Sequence, residues 1–179
     1  MAEKKCRDIV VSAVKKLLIA PLGAAKSSAV DVGFTNGNIT ITAAQEFADV
    51  MVDQSFTPVR SILTAANYNF AAPLAAMNLD NLAIALGVEF DAQGNARIVK
   101  ERYYQVWIET EGPVNDSGVK AEREIYILKL RLGGTAEIAF SRTDAQTANL
   151  EGVLVNCPDE ATGNNINVFA ITDTYESES

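Results

Sequence analysis

Between Glu46 and Thr57 the apolar residues Ala48, Val50, Val52 and Phe56 occupy even positions, while Asp49, Asp53, Ser55 and Thr57 occupy odd ones. A period of two is the repeat of a strand with one face buried. Pro58 cannot donate to a ladder and marks a break, bulge or edge in the pairing. Beyond it Ile62, Tyr68 and Phe70 fall on one face and Ser61, Ala65, Asn67 and Asn69 on the other, with Leu63 as an exception. Arg60 lies on the opposite phase from Ser61. The polar face of this ribbon is short and nearly uncharged, whereas a solvated strand usually carries more charge.

The alternation recurs. "RYYQVWIET" has apolar groups on both faces, and "REIYILKLRL", "AEIAFSR", "LEGVLVNC" and "NVFAITDTYE" read as four more strands. Turn signals separate them: Gly133-Gly134, "TDAQTAN" and "PDEATGNN". Asn36-Gly37, flanked by Phe34 and the alternating Ile39 and Ile41, has the composition of a hairpin tip, because a type I′ turn needs positive φ at both central positions. Only "APLAAMNLDNLAIALGV" changes period. Its spacing predicts a helix over about 76–87, with Asn78 or Asp80 as the cap and Gly87 where a helix end wants a left-handed residue.

Two segments lack sustained periodicity. Residues 1–30 read as an arm, and "EGPVNDSGVKAERE" reads as a long polar loop between two strands. Runs of short strands with one helix predict a mainly β fold: a two-sheet sandwich or small barrel with one flanking helix, an extended N-terminal arm and a long inter-strand loop. The organisation expected is an arm over 1–30, a β domain over 31–175 and a frayed acidic tail over 176–179.

The chemistry that the chain can support is narrow. It contains no histidine, which removes the Ser-His-Asp and Cys-His nucleophile systems and His-containing zinc sites. Cys6 and Cys157 stand far apart and form no CxxC, so two free thiols are favoured over a disulfide. Neither a phosphate-binding glycine loop nor a GxSxG turn is present. Asp49 with Asp53 and Glu109 with Glu111 share strand faces, but same-face acids are ordinary solvated groups. Asp159, Glu160 and Asn164 lack the spaced ligands of a calcium loop. Trp107, Tyr103 and Tyr104 could form a stacking platform, yet no cationic groove accompanies them and core packing is the favoured reading.

No enzymatic activity, cofactor or metal is therefore expected. A net charge of −8 argues against a basic footprint on nucleic acid or on an anionic membrane. Lys15 and Lys16 interrupt the apolar run near the start, leaving neither a signal core nor a membrane span.

Five phrases, in order, give the chain a resemblance: "APLGA", "DVGFTNGNITIT", "VDQSFTPV", "APLAAMNLDNLAIALG" and "LEGVLVNCPDEA". Together they resemble the tail tube (major tail) proteins of tailed bacteriophages across most of the chain. The resemblance implies a non-enzymatic virion subunit, made in the bacterial host cytoplasm, that assembles with itself into stacked, hexameric rings. Further partners implied are tape-measure, terminator and sheath proteins, with double-stranded DNA passing through untethered. Asp49, Asp53, Ser55, Thr57, Ser61, Ala65, Asn67 and Asn69 would line the channel. Ile9, Val11, Leu17, Leu18 and Ile19 of the arm, and Pro113, Val114, Asn115, Asp116 and Lys120 of the loop, would make inter-subunit or inter-ring contacts. Two other readings remain open: the inner tube of a DNA-free contractile injection device, and a small-ligand or carbohydrate-binding β-sandwich built on Trp107, Tyr103 and Tyr104.

Overall fold

The computed structural model describes residues 14–33, 35, 37–51, 56–75, 78–98, 103–115, 118–133, 138–139, 147–158 and 166–175. Its strands are β1 (Val14–Pro21), β2 (Val30–Asp31), β3 (Thr40–Val50), β4 (Arg60–Leu74), β5 (Val88–Phe90), β6 (Ala96–Ile98), β7 (Tyr103–Val114), β8 (Lys120–Leu132), β9 (Ile138–Ala139), β10 (Thr147–Leu154), β11 (Cys157–Pro158), β12 (Ile166–Asn167) and β13 (Phe169–Tyr175). One helix, α1 (Leu79–Leu86), follows β4. The fold is mainly β with one flanking helix, as the alternation predicts.

Nine strands form one antiparallel sheet in the order β2-β1-β7-β8-β10-β4-β3, with β13 paired to β8 and β9 to β10. The pairs β11–β12 and β5–β6 form separate ribbons. Leu17 and Ile19 of β1, Val106 and Ile108 of β7, Ile127 and Leu130 of β8, Leu150 of β10 and Phe70 of β4 belong to a single buried cluster. Strands so far apart in the sheet order reach one core only if the sheet curls on itself. Tyr68 of β4 meets Phe169 of β13 edge to face at 6.2 Å, which joins the two wings.

The helix keeps its predicted signals. Asn78 is the N-cap, its side chain accepting from the Asn81 N–H at 2.7 Å, and Gly87 closes the helix at φ 64°. Asn81 is itself buried and donates through Nδ2 to the Val32 carbonyl at 2.8 Å, fixing the helix to the segment leaving β2.

Three boundaries differ from expectation. Residues 14–30 are not part of an arm: β1 pairs with β7 along its length, and Leu17 and Ile19 are buried in this chain's own core, while residues 1–13 lie outside the described residues. Basic residues hid that strand, because Lys15 and Lys16 interrupt its apolar run. The loop expected between Glu111 and Glu124 is mostly strand; β7 and β8 are joined by a tight turn in which Asn115 N–H donates to the Val119 carbonyl at 2.9 Å. Pro113 fits inside β7 because the pairing register shifts between Glu111 and Val114, so no ladder bond is asked of it. Finally, Gly37 does not sit at the tip of a hairpin: β2 pairs with β1, β3 pairs with β4, and Thr35 bridges Leu74.

Among the described residues, no helix is long and apolar enough to cross a membrane. Among them too, no group of three or more His, Cys, Asp or Glu side chains is placed to hold a metal ion.

Candidate functional site

β3 and β4 form a long hairpin at one edge of the sheet, and among the described residues β3 has no further partner in the strand order. Phe70, Ala72 and Leu74, at the end of β4, are buried. Toward the tip the burial ends: from Thr42 to Val50 and from Arg60 to Thr64 every residue is exposed, on both faces of the ribbon. At about 3.4 Å per residue, the stretch from Arg60 to Ala66 carries the ribbon roughly 20 Å past the core. Val59 N–H donates to the Val50 carbonyl at 2.9 Å and closes the tip, so Pro58 belongs to the turn and not to a strand.

The pairing register sets the faces, since residues directly opposite across an antiparallel pair share one. Ile41, Ala43 and Gln45 oppose Phe70, Tyr68 and Ala66, and this face leads into the core. Between Glu46 and Phe47 the register shifts: Glu46 opposes Ala65 but Phe47 opposes Leu63. Thr64 is the extra residue of a β-bulge, and its hydroxyl donates to the Glu46 carbonyl at 3.0 Å, where the ladder is interrupted.

The bulge corrects the alternation read from sequence. Asp49 and Ser61, joined by a hydrogen bond from the serine hydroxyl, lie with Phe47 and Leu63 on the continuation of the core face. Ala65, Asn67 and Asn69 lie on the other face, opposite Glu46, Ala44 and Thr42. Ile62 and Arg60 share that second face. The eight candidate lining residues are therefore not one set. Thr57 is exposed at the tip, and Asp53 and Ser55 lie outside the described residues. Leu63, the exception to simple alternation, is the trace that the bulge leaves in the sequence. Thr42, Ala44 and Glu46 were missed, because only their pairing with β4 assigns them to the small, polar face.

Much apolar surface is uncovered on this hairpin. Phe47 is 57%, Ile62 45%, Leu63 49% and Phe56 104% exposed. Phe47 and Leu63 face each other across the pair and would favour burial at about 25 cal/mol per Å².

The arm and loop candidates divide differently. Leu18 lies on the outer face of β1, half-buried, while Leu17 and Ile19 point inward. Pro113, Val114, Asn115 and Lys120 sit together at the β7–β8 turn. Lys120 is paired with Glu111, and the ammonium holds the Glu111 carboxyl below its ordinary value. Ile9, Val11 and Asp116 lie outside the described residues, as do Cys6, Asp159, Glu160 and Asn164.

The aromatic trio does not form a platform. Tyr104 turns inward with Val106 and is buried, while Trp107 stacks on Tyr126 on the opposite face and is 6% exposed. A cleft of about 570 Å³ opens between the start of β3 and the inner face of β7 and β8, with Val14, Ile41, Ile108 and Ile125 in its walls. The charged side chain among its described lining residues, Arg123, is held by Asp173 through hydrogen bonds of 2.7 and 2.8 Å.

No protein-family model matches this chain, and no curated protein does. Among solved structures, similarity is found to a chain of the "Cryo-EM structure of the anti-feeding prophage (AFP) baseplate, 6-fold symmetrised". That match has 10% sequence identity and a TM-score of 0.48, covering 88% of this chain and 91% of the other.

Proposed function

We propose that this chain is a structural, non-enzymatic subunit of a phage tail tube, assembling with copies of itself into stacked, hexameric rings around a channel that DNA traverses. One observation carries the reading: a long edge hairpin exposed on both faces, with Phe47 and Leu63 uncovered on the face that leads into the core. A soluble chain left this way is a template for pairing. Heterologous contacts between copies close into rings, and stacked rings give an open-ended filament. The sequence resemblance supplies the identity of the filament.

In that assembly the second face of the hairpin, with Thr42, Ala44, Glu46, Ala65, Asn67 and Asn69, turns to the channel. These side chains are short and include one acid and no cation. Protein affinity for DNA comes largely from counterions released as Lys and Arg neutralise phosphates. A stretch of wall from Thr42 to Glu46 and Ala65 to Asn69 without those groups lets the polyanion slide. Arg60 shares the face but sits at its far end, beside the tip.

Electron microscopy of negatively stained, concentrated protein tests this. Rings or tubes about 100 Å across with a central channel are expected, a rough size for six such domains around a pore. The Leu63→Asp variant should keep its far-UV circular dichroism and fail to assemble. Assemblies without a channel, or a Leu63→Asp variant that assembles as the parent does, would refute the reading.

A further inference from the structure

Trp107 needs a cover. It pairs in register with Tyr126 and stacks on it at 5.0 Å, on the face of β7 opposite to Val106 and Ile108, which enter the core. A residue on that outer side ought to meet solvent, yet only 6% of it is exposed.

The connection from β1 to β2, Leu22–Ala29, crosses this face. At one end Leu22 N–H donates to the Tyr103 carbonyl at 2.9 Å and Gly23 N–H to Gln105 Oε1 at 3.2 Å. At the other end Lys26 Nζ lies 2.8 Å from Glu109 Oε1 and also binds Glu124. Gln105, Trp107 and Glu109 are successive outer-face residues of β7, so a segment pinned at the first and third spans the second. Glu109 and Glu124 are the outer-face residues next after Trp107 and before Tyr126, so the Lys26 ammonium is anchored one outer-face position away from the stacked rings.

What holds the segment is polar. None of the residues from Leu22 to Ala29 is buried, so no core contact anchors it. Glu109 and Glu124 are cross-strand partners, and two like charges directly opposite repel unless a cation joins them. Lys26 is that cation; its amine is raised above the ordinary lysine value by its hydrogen bond to Glu109 and then to Glu124. Other charged groups on this face include Lys15 and Lys16 of β1, Asp31 of β2, which opposes Leu18, Glu111 of β7, and Glu122 and Lys129 of β8; Lys15 is taken up by Glu122 at 2.6 Å, and Lys129 sits over the Tyr103 ring. Lys16 opposes Glu109 in register. β13 contributes Thr172 and Thr174 there.

We propose that Leu22–Ala29 is a charge-latched strap that opens as a unit while the core stays folded, with Lys26 setting how often it opens. Opening uncovers an apolar face made of Leu18, Trp107 and Tyr126. Segments with few buried contacts and exposed hydrogen bonds are where local opening occurs at the lowest free energy.

Trp107 is the chain's one tryptophan, so its emission reports this site alone. Lys26→Met keeps the stem and removes the charge. The expected result is a severalfold rise in acrylamide quenching and about tenfold faster hydrogen exchange at Gly23, the loss expected for one charge-assisted bond, with far-UV circular dichroism unchanged. Raising salt on the unaltered protein should move both in the same direction. In case the variant does not fold, native-state exchange of the unaltered protein decides. Gly23 exchange insensitive to low denaturant supports the strap. Gly23 exchange that follows denaturant as Val106 does, or quenching unmoved by both the substitution and salt, overturns it.

Discussion

At the scale of single residues, close approach of backbones sets what the fold tolerates. A Cβ placed on Gly152 would lie 2.8 Å from the Arg131 carbonyl oxygen and 2.9 Å from Leu130 Cδ1. The carbonyl belongs to a paired strand and cannot retreat without losing β10–β8 pairing. Gly152→Ala is therefore expected to destabilise by about 1–3 kcal/mol, the usual range for overpacking, read from a shifted urea midpoint. Asn78→Ala removes the one side-chain cap of α1 and should cost about 1 kcal/mol. That capping role was legible in the sequence, since an Asn before a periodic run and a Gly after it are local signals. The burial of Asn81 was not, because it depends on the Val32 carbonyl, 49 residues away in sequence.

At the scale of elements, the β3–β4 hairpin shows how one extra residue changes a reading. The bulge at Thr64 lets two residues of β4 oppose one of β3, so alternation counted through it assigns Ser61 and Ala65 to one face when they lie on two. Without Thr64 the ladder becomes regular, and Arg60 to Leu63 keep the faces they already occupy. Deleting Thr64 is expected to yield a folded protein that assembles like the parent, in contrast to Leu63→Asp; sedimentation velocity at matched concentration distinguishes them. β1 was hidden for a related reason. Its lysines look outward to Glu122 and neighbours while Leu17 and Ile19 look inward, and a strand of mixed character is recognised only beside its partner β7.

At the scale of the whole molecule, charge governs both behaviour in acid and the wall of the proposed channel. Arg123 holds the Asp173 carboxyl below its ordinary value, Lys15 does so for Glu122 and Lys120 for Glu111. Depressed carboxylates contribute stability that is present above their unfolded values and is lost as pH falls through their folded ones. The melting temperature should therefore hold near neutrality and fall below about pH 4, where ordinary carboxylates titrate, and Arg123→Met should flatten that fall. On the channel face, Ala65→Lys would place one added cation per subunit on the wall. Assembled tubes of this variant should retain duplex DNA at low salt and release it as salt rises, while parent tubes retain none in a filter-binding assay. The sequence by itself determined the β character, the presence of the helix with its Gly87 end and the absence of histidine chemistry, whereas the helix start, expected at about 76, is Leu79. Each follows from local periodicity, local capping or residue types that are present or missing. Tertiary structure alone decided that β1 is core, that the β7–β8 connection is tight and that the hairpin faces are exchanged at Thr64. Those outcomes rest on pairing between distant strands, and a register is a property of two segments that neither carries alone.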